Sequence, residues 1–183
     1  PYSASKISAD KIVESFYDSY GMPLVTIRPF NTYGPRQSLR AVIPTIISQA
    51  LIKNKIELGS LTPRRDFTFV KDTVEGFVKI AESNNVFGKT INVGSNYEIS
   101  IKELVDKIVK IIGRDVRITR SKERMRPKLS EVMILRADNK LVKRLTGWQP
   151  KVDLDSGLRM TVEWFRANIG DIARRKKIEE YVI

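Results

Sequence analysis

Tyr2 and Lys6 stand four positions apart, which on a helix puts both side chains on one face, one turn from each other. An ammonium group beside a phenol favours the phenolate. A phenolate near neutral pH can take a proton from an alcohol or sugar hydroxyl as hydride leaves the carbon. Taken alone, Tyr-x-x-x-Lys is more often a surface pair. A second cluster, Arg28-Pro29-Phe30-Asn31-Thr32-Tyr33-Gly34-Pro35-Arg36-Gln37, falls just past the carboxyl end of a predicted strand, where open α/β sheets bind ligands. Asn31 both donates and accepts there, and Arg36 can hold an anion; the plainer alternative is a Pro/Gly turn with a helix-stabilising arginine. Third, Arg64-Arg65-Asp66-Phe67 sets two guanidinium groups side by side, suited to bidentate phosphate binding, although an Arg-Asp neighbour pair also makes an ordinary surface ion pair. Fourth is the basic run Arg117, Arg120, Lys122, Arg124, Arg126 and Lys128, relieved only by Glu123 and then Glu131. It could be a nucleic-acid patch, but no aromatics are interleaved on which bases would stack, and no helix-turn-helix or zinc-finger pattern accompanies it. A solvated loop, or one closing over a diphosphate, suits it better.

Composition narrows the chemistry further. The 183 residues contain no histidine and no cysteine, which excludes a His general base, a Ser-His-Asp triad, thiol nucleophiles, disulfides and ordinary zinc sites. Acid–base work falls to Tyr, Lys, Asp or Glu. Lys and Arg number 33 against 21 Asp and Glu, a formal charge of +12 that favours anionic ligands. The ten glycines are never closer than six residues, Gly88 and Gly94 being the nearest pair, so neither G-x-G-x-x-G nor a P-loop is present. No apolar run reaches the length of a bilayer span, and the start lacks a signal-peptide core, so the expectation is a cytoplasmic protein without membrane contact. The chain opens on Pro1, from which we expect that it starts inside a longer gene product.

The elements that must hold these residues alternate helix and strand, which predicts an α/β fold. Ile7, Ile12, Val13, Phe16 and Tyr20 recur at helical spacing from Ser3 and stop at Gly21. A strand at Leu24–Arg28 follows, then a polar loop over 29–41 and a helix from Pro44 to about Asn54. Strands are predicted at Ile56–Leu58, Asp66–Val70, Thr90–Val93 and Val116–Thr119. Asp72 is expected to cap a helix to about Glu82, and Ser100 with Glu103 forms a capping box for a helix closed by Gly113. Asp138 is expected to cap a short helix ending at Gly147. A last amphipathic helix is predicted from Asp155 to Asn168, followed by a charged tail from Arg174 that reads as a solvated helix end.

In order along the chain, Tyr2-Ser3-Ala4-Ser5-Lys6, the 28–37 cluster, Arg65-Asp66-Phe67-x-x-Val70-x-Asp72, Asn92-Val93-Gly94, Arg126-Pro127 and Gly147-Trp148-x-Pro150 resemble the carboxyl-terminal half of the extended short-chain dehydrogenase/reductases acting on nucleotide sugars, the NAD-dependent epimerase/dehydratase family. The stretch from Pro1 to Pro44 looks most similar to NDP-N-acetylglucosamine 4,6-dehydratases of the legionaminic-acid type. The resemblance implies the end of a Rossmann-type NAD(P)-binding fold within 1–41, a small α/β substrate domain over 42–170 and a tail over 171–183. It implies that Tyr2 is the catalytic base toward the sugar 4-hydroxyl, and that Lys6 holds the nicotinamide ribose and lowers the Tyr2 pKa. Pro29, Phe30 and Thr32 would lie by the nicotinamide of NAD. Asn31, Arg65 and Arg126 would bind the diphosphate with help from Asn92, Val42 and Ile43 would line the nucleotide site with Ile56–Leu58, and Glu131 would reach the ribose or base. The implied partners are a UDP-, dTDP- or GDP-linked sugar and a second subunit in a homodimer, with neither nucleic acid nor a metal. The glycine-rich NAD loop and the rest of the catalytic triad would precede Pro1, so dehydratase and 4-epimerase both stay open.

Overall fold

In a computed structural model the described residues are 2–121 and 131–179, with side chains through Arg174. Most of the basic run, from Lys122 through Arg124 and Arg126 to Lys128, lies outside them.

Helix α1 (Tyr2–Tyr20) ends where Gly21, at φ 62°, takes the left-handed conformation and returns its N–H to the Tyr17 carbonyl at 2.9 Å. Strand β1 (Thr26–Pro29) pairs in parallel with β5 (Thr90–Val93), from Thr26 opposite Thr90 to Pro29 opposite Val93. The Phe30 N–H still donates to the Val93 carbonyl at 2.9 Å. One residue later the chain enters β2 (Asn31–Tyr33), which pairs in parallel with β4 (Arg64–Phe69). Phe30 alone therefore links β1 to β2, at one of the chain's crossings between the two sheets. Within the segment expected to be a loop, β2 is a correction: three residues carry too little periodicity to be recognised, and their partner lies 36 positions on, Asn31 against Phe67. Strand β6 (Glu98–Ser100), also unforeseen, runs antiparallel to β4, and β8 (Ile134–Leu135) runs parallel to it. Strand β3 (Lys55–Leu58) pairs in parallel with β7 (Arg117–Arg120).

Helices cover these strands. Helix α2 (Val42–Ile52) starts two residues before the expected Pro44, which fits because the first turn needs no amide donor. Helix α3 (Val70–Ala81) is not capped by Asp72. That carboxylate sits buried in the first turn and accepts the Val152 N–H at 3.0 Å, while its own carbonyl takes the indole N–H of buried Trp148 at 3.0 Å. Gly76 makes this docking possible, since a Cβ there would meet Val93 at 2.9 Å and Trp148 at 3.2 Å. Helix α4 (Ile101–Ile112) carries the expected capping box, with Gly113 left-handed at φ 72°. Helix α5 (Lys140–Thr146) takes Asn139 as N-cap, and Asp138 accepts the Lys140 N–H at 3.0 Å from one position further out. Helix α6 (Leu154–Ala167) is capped by Asp153, which accepts the Ser156 N–H at 2.9 Å, rather than starting at Asp155. The expected tail is helix α7 (Ile169–Glu179).

Two apolar clusters result. The larger joins β2, β3 and β4 to α2, α4 and α6 through side chains such as Tyr33, Ile46, Phe69, Leu104 and Phe165. The smaller holds Ile80, Val86, Ile91, Val93, Val142 and Trp148, with Val25, just before β1, and Ile27 of β1 against them. Residues from both sides of the expected 41/42 boundary thus share one core.

Candidate functional site

A cleft of 530 Å³ opens beside the start of β2 and the carboxyl end of β3. Asn31 of β2 lines it with Gln37 and Arg40 of the following loop, Val42 and Thr45 enter from the first turn of α2, and Leu58 to Ser60 close one end. Arg65 and Phe67 of β4 form the floor, with Ile101 of α4 and Glu131. The Arg65 guanidinium donates through Nη2 to Glu131 Oε1 at 2.8 Å and through Nη1 to the Arg64 carbonyl at 2.9 Å. Both partners of this ion pair are mostly buried, 14% and 17% exposed. Asn31 Nδ2 donates to the Asp66 carbonyl at 2.8 Å. Gln37 Nε2 donates to the Thr32 carbonyl at 2.7 Å, which leaves its Oε1 buried and, among the described residues, without a partner.

Asp66 is what keeps this floor in place. It is fully buried, and its carboxylate accepts from Ser95 N–H at 2.9 Å, Ser95 Oγ at 2.6 Å, Asn96 N–H at 2.8 Å and Ala137 N–H at 3.1 Å. The alternative of a surface ion pair with its arginine neighbour is thereby corrected: backbone donors, not a cation, hold this carboxylate. Gly94 is needed at the same junction, because a Cβ would meet Ala137 at 2.4 Å and Phe30 at 3.2 Å.

Of the expected site residues, Asn31, Val42, Arg65 and Glu131 come together in the cleft, and Leu58 joins them. Ile43 does not: it is 1% exposed and belongs to the larger core, because one step along a helix turns the side chain by about 100°. Asn92 lies on β5 and lines a separate depression with Asp138, Lys140 and Arg144. Arg36 is exposed, with a left-handed φ of 66°, and does not line the cleft. Arg126 lies outside the described residues. Tyr2 and Lys6 sit on the first turns of α1, with Lys6 Nζ 5.6 Å from the centroid of the Tyr2 ring and Tyr2 75% exposed. Pro29 ends β1, Phe30 bridges the sheets, and Thr32 Oγ1 lies 3.1 Å from Thr73 Oγ1. Tyr33, the neighbouring phenol, is unsuited to act as a base: burial pushes its pKa up strongly, with Asp153 and Asp72 adding to the effect. Gln37 and Arg40 are cleft residues not foreseen as such. Gln37 stood in the quoted motif, but only the fold shows that its amide is locked against Thr32.

A parallel β1–β5 pair runs straight into a second sheet, whose cleft holds two guanidinium groups, two amides and a carboxylate, an α/β arrangement with a site suited to a polar anion. The chain belongs to the GDP-mannose 4,6 dehydratase family, which matches residues 1–161, and so to the extended short-chain dehydrogenase/reductases that its motifs resemble. It is 32% identical to a dTDP-D-glucose 4,6-dehydratase of Mus musculus, over 98% of this chain and 51% of that one. Among solved structures it is similar to the epimerase Mth375 of Methanothermobacter thermautotrophicus, at TM-score 0.87 and 28% identity, over 95% of this chain and 52% of that one. The UDP-glucuronic acid 4-epimerase of Bacillus cereus, solved with UDP-glucuronic acid and NAD, matches at TM-score 0.84 and 28% identity, over 91% of this chain and 52% of that one. The chain thus spans about half the length of the relatives it matches.

Proposed function

We propose that this chain is the substrate-binding and Tyr/Lys portion of an NAD-dependent nucleotide-sugar 4,6-dehydratase that works by transient oxidation at sugar C4. The observation that carries this is the cleft: Arg65, Asn31 and Glu131 converge there, with Asn31 separated from the end of β1 by Phe30 alone. A nucleoside diphosphate offers two phosphates to the arginine and hydroxyl or N–H donors to the Gln37 oxygen, which has no partner among the described residues. Tyr2 takes the proton of the sugar 4-hydroxyl, and Lys6, one turn away, holds the cofactor ribose. The open placement of both on α1 fits a dinucleotide lying across the helix start. NAD, where bound, supplies the hydride acceptor. Thr32, Phe30 and Pro29 border that side, and Arg126 would close the diphosphate from the other. The exposed apolar stripe of α1 suits a homodimer contact. A cytoplasmic location and a UDP-, dTDP- or GDP-linked substrate complete the proposal.

The likeness to the Bacillus cereus enzyme favours a second reading, a 4-epimerase, in which the same C4 oxidation is reversed from the other face. Because no glycine pattern in the chain can cradle a dinucleotide diphosphate, we expect the 183-residue chain to bind nucleotide and to leave sugar unconverted. Titration calorimetry with UDP, dTDP and GDP checks this. At least one should bind, and Arg65→Gln should weaken it by about tenfold, the worth of one charge-assisted bidentate contact. No binding of any of the three, or turnover of an NDP-sugar with added NAD, would refute it.

A further inference from the structure

Helix α1 carries Tyr2 and Lys6 yet has little hold on the rest of the chain, since none of its residues is buried. Among the described residues one side chain alone takes hydrogen bonds and an ion pair from α1 to another element: Asp10, whose Oδ2 accepts from Arg28 Nε at 3.1 Å and from Nη2 at 2.5 Å. Arg28 belongs to β1, three residues before Asn31 and opposite Asn92 on β5. Asp10 stands four positions after Lys6 and is the only carboxylate within four positions of it. At that spacing on a helix the two charges face each other and attract. Lys6 is nonetheless free of it: its Nζ lies 5.6 Å from the Tyr2 ring centroid and makes neither an ion pair nor a hydrogen bond among the described residues. We infer that Arg28 is a positioning residue for Tyr2 and Lys6: by engaging Asp10 it ties α1 to the strand that leads into the cleft and keeps the neighbouring carboxylate off Lys6. That role presupposes the proposed function of the pair, Tyr2 as proton acceptor and Lys6 as holder of the cofactor ribose. With Arg28 in place, the pair on α1 and Asn31 in the cleft are both referenced to β1, so a sugar reaching from one to the other meets a set separation. An ammonium neutralised by its own helix would have less to offer a ribose hydroxyl or a nearby phenolate.

Competitive acylation of the full 183-residue chain with acetic anhydride, followed at each lysine by mass spectrometry, reports whether the Lys6 amine is free. Arg28→Met keeps most of the stem and removes the charge. We expect R28M to slow acylation of Lys6 relative to the other lysines by about twofold, the worth of an exposed ion pair one turn apart. Asp10→Asn alone should leave Lys6 unchanged, because that carboxylate is already engaged, and D10N combined with R28M should restore the wild-type rate. Arg28→Lys, which keeps the charge, should react as wild type does. Amide hydrogen exchange reads the tie to β1: R28M and D10N should each speed exchange in the turns of α1 around Asp10 several-fold. Lys6 unmoved by R28M overturns the inference. So does a slowing that persists in the double variant, which would come from the helix and not from the carboxylate, and so does faster acylation in D10N alone, which would mean that Lys6 holds Asp10 in the wild type. Exchange unchanged in both single variants overturns the tie to β1. Should R28M fail to fold by circular dichroism, Arg28→Gln carries the same expectations. No nucleotide or NAD enters these measurements, so a chain that binds no nucleotide refutes the proposed function as a separate result.

Discussion

Gln37 and Asp66 show opposite uses of a buried polar atom. Among the described residues the Gln37 oxygen is left without a donor while its amide nitrogen is held by Thr32, an arrangement that costs stability unless a ligand fills it. Gln37→Leu removes the orphan together with one hydrogen bond. We expect urea unfolding to stay within about 1 kcal/mol of wild type while nucleotide affinity, by calorimetry, falls several-fold; unchanged affinity would remove Gln37 from the site. Asp66 is fully satisfied, by three backbone N–H groups and the hydroxyls of Ser95 and Thr68. Asp66→Asn sets an NH2 group against those donors and should cost about 3 kcal/mol, read as a lower urea midpoint. A midpoint equal to wild type would show that the carboxylate is not what joins β4 to the turn after β5.

At the scale of elements, the caps carry the pH dependence. The Asp153 carboxyl is held below its ordinary value, chiefly by the backbone hydrogen bond from Ser156 and next by the Ser156 hydroxyl. A carboxyl lowered on folding adds stability that is fully present above its unfolded value, about 3.9, and is lost as pH falls through the lower folded value. Asp153→Ala should therefore cost about 1 kcal/mol at pH 7, and the gap to wild type in urea unfolding should close at pH 3 or below. A gap that does not change with pH would mean that the charge of the cap contributes nothing. The Ser100–Glu103 box could be read from the sequence because every bond in it is local. Asp153 could not be told from Asp155, nor Asp72 from a cap, because backbone angles rather than residue type decide which aspartate caps. The three-residue strands β2 and β6 were hidden for a related reason: each exists only by pairing with β4, which the chain reaches much later or left much earlier. Helix phase, which put Val42 in the cleft and Ile43 in the core, was beyond a reading that placed the helix start at Pro44. Asn31, Arg65 and Glu131 were expected to share a site and do line one cleft, but the 66 positions between Arg65 and Glu131 hid that they are partners of each other.

Across the whole molecule, helix α1 has no buried residue, and Ile12, Phe16 and Tyr20 are 59%, 45% and 74% exposed. The apolar periodicity that predicted the helix therefore marks a face without a partner among the described residues, while Asp10, bound to Arg28 at 2.5 Å, and the Tyr17 ring against Gly88 hold the opposite side. Sedimentation should show self-association that Ile12→Lys with Phe16→Lys abolishes; a strictly monomeric wild-type profile would count against it. The Phe30 crossing has a mechanical consequence. Successive Cα atoms lie about 3.8 Å apart, so Pro29, on the strand paired with β5, and Asn31, on the strand paired with β4, are separated by two rigid links with no loop to take up slack. Any rotation of one sheet against the other must pass through the torsions of Phe30 or strain the hydrogen bonds on either side of it. The two sheets are coupled at this point, and any displacement of Asn31 acts on the end of β1 through those two links.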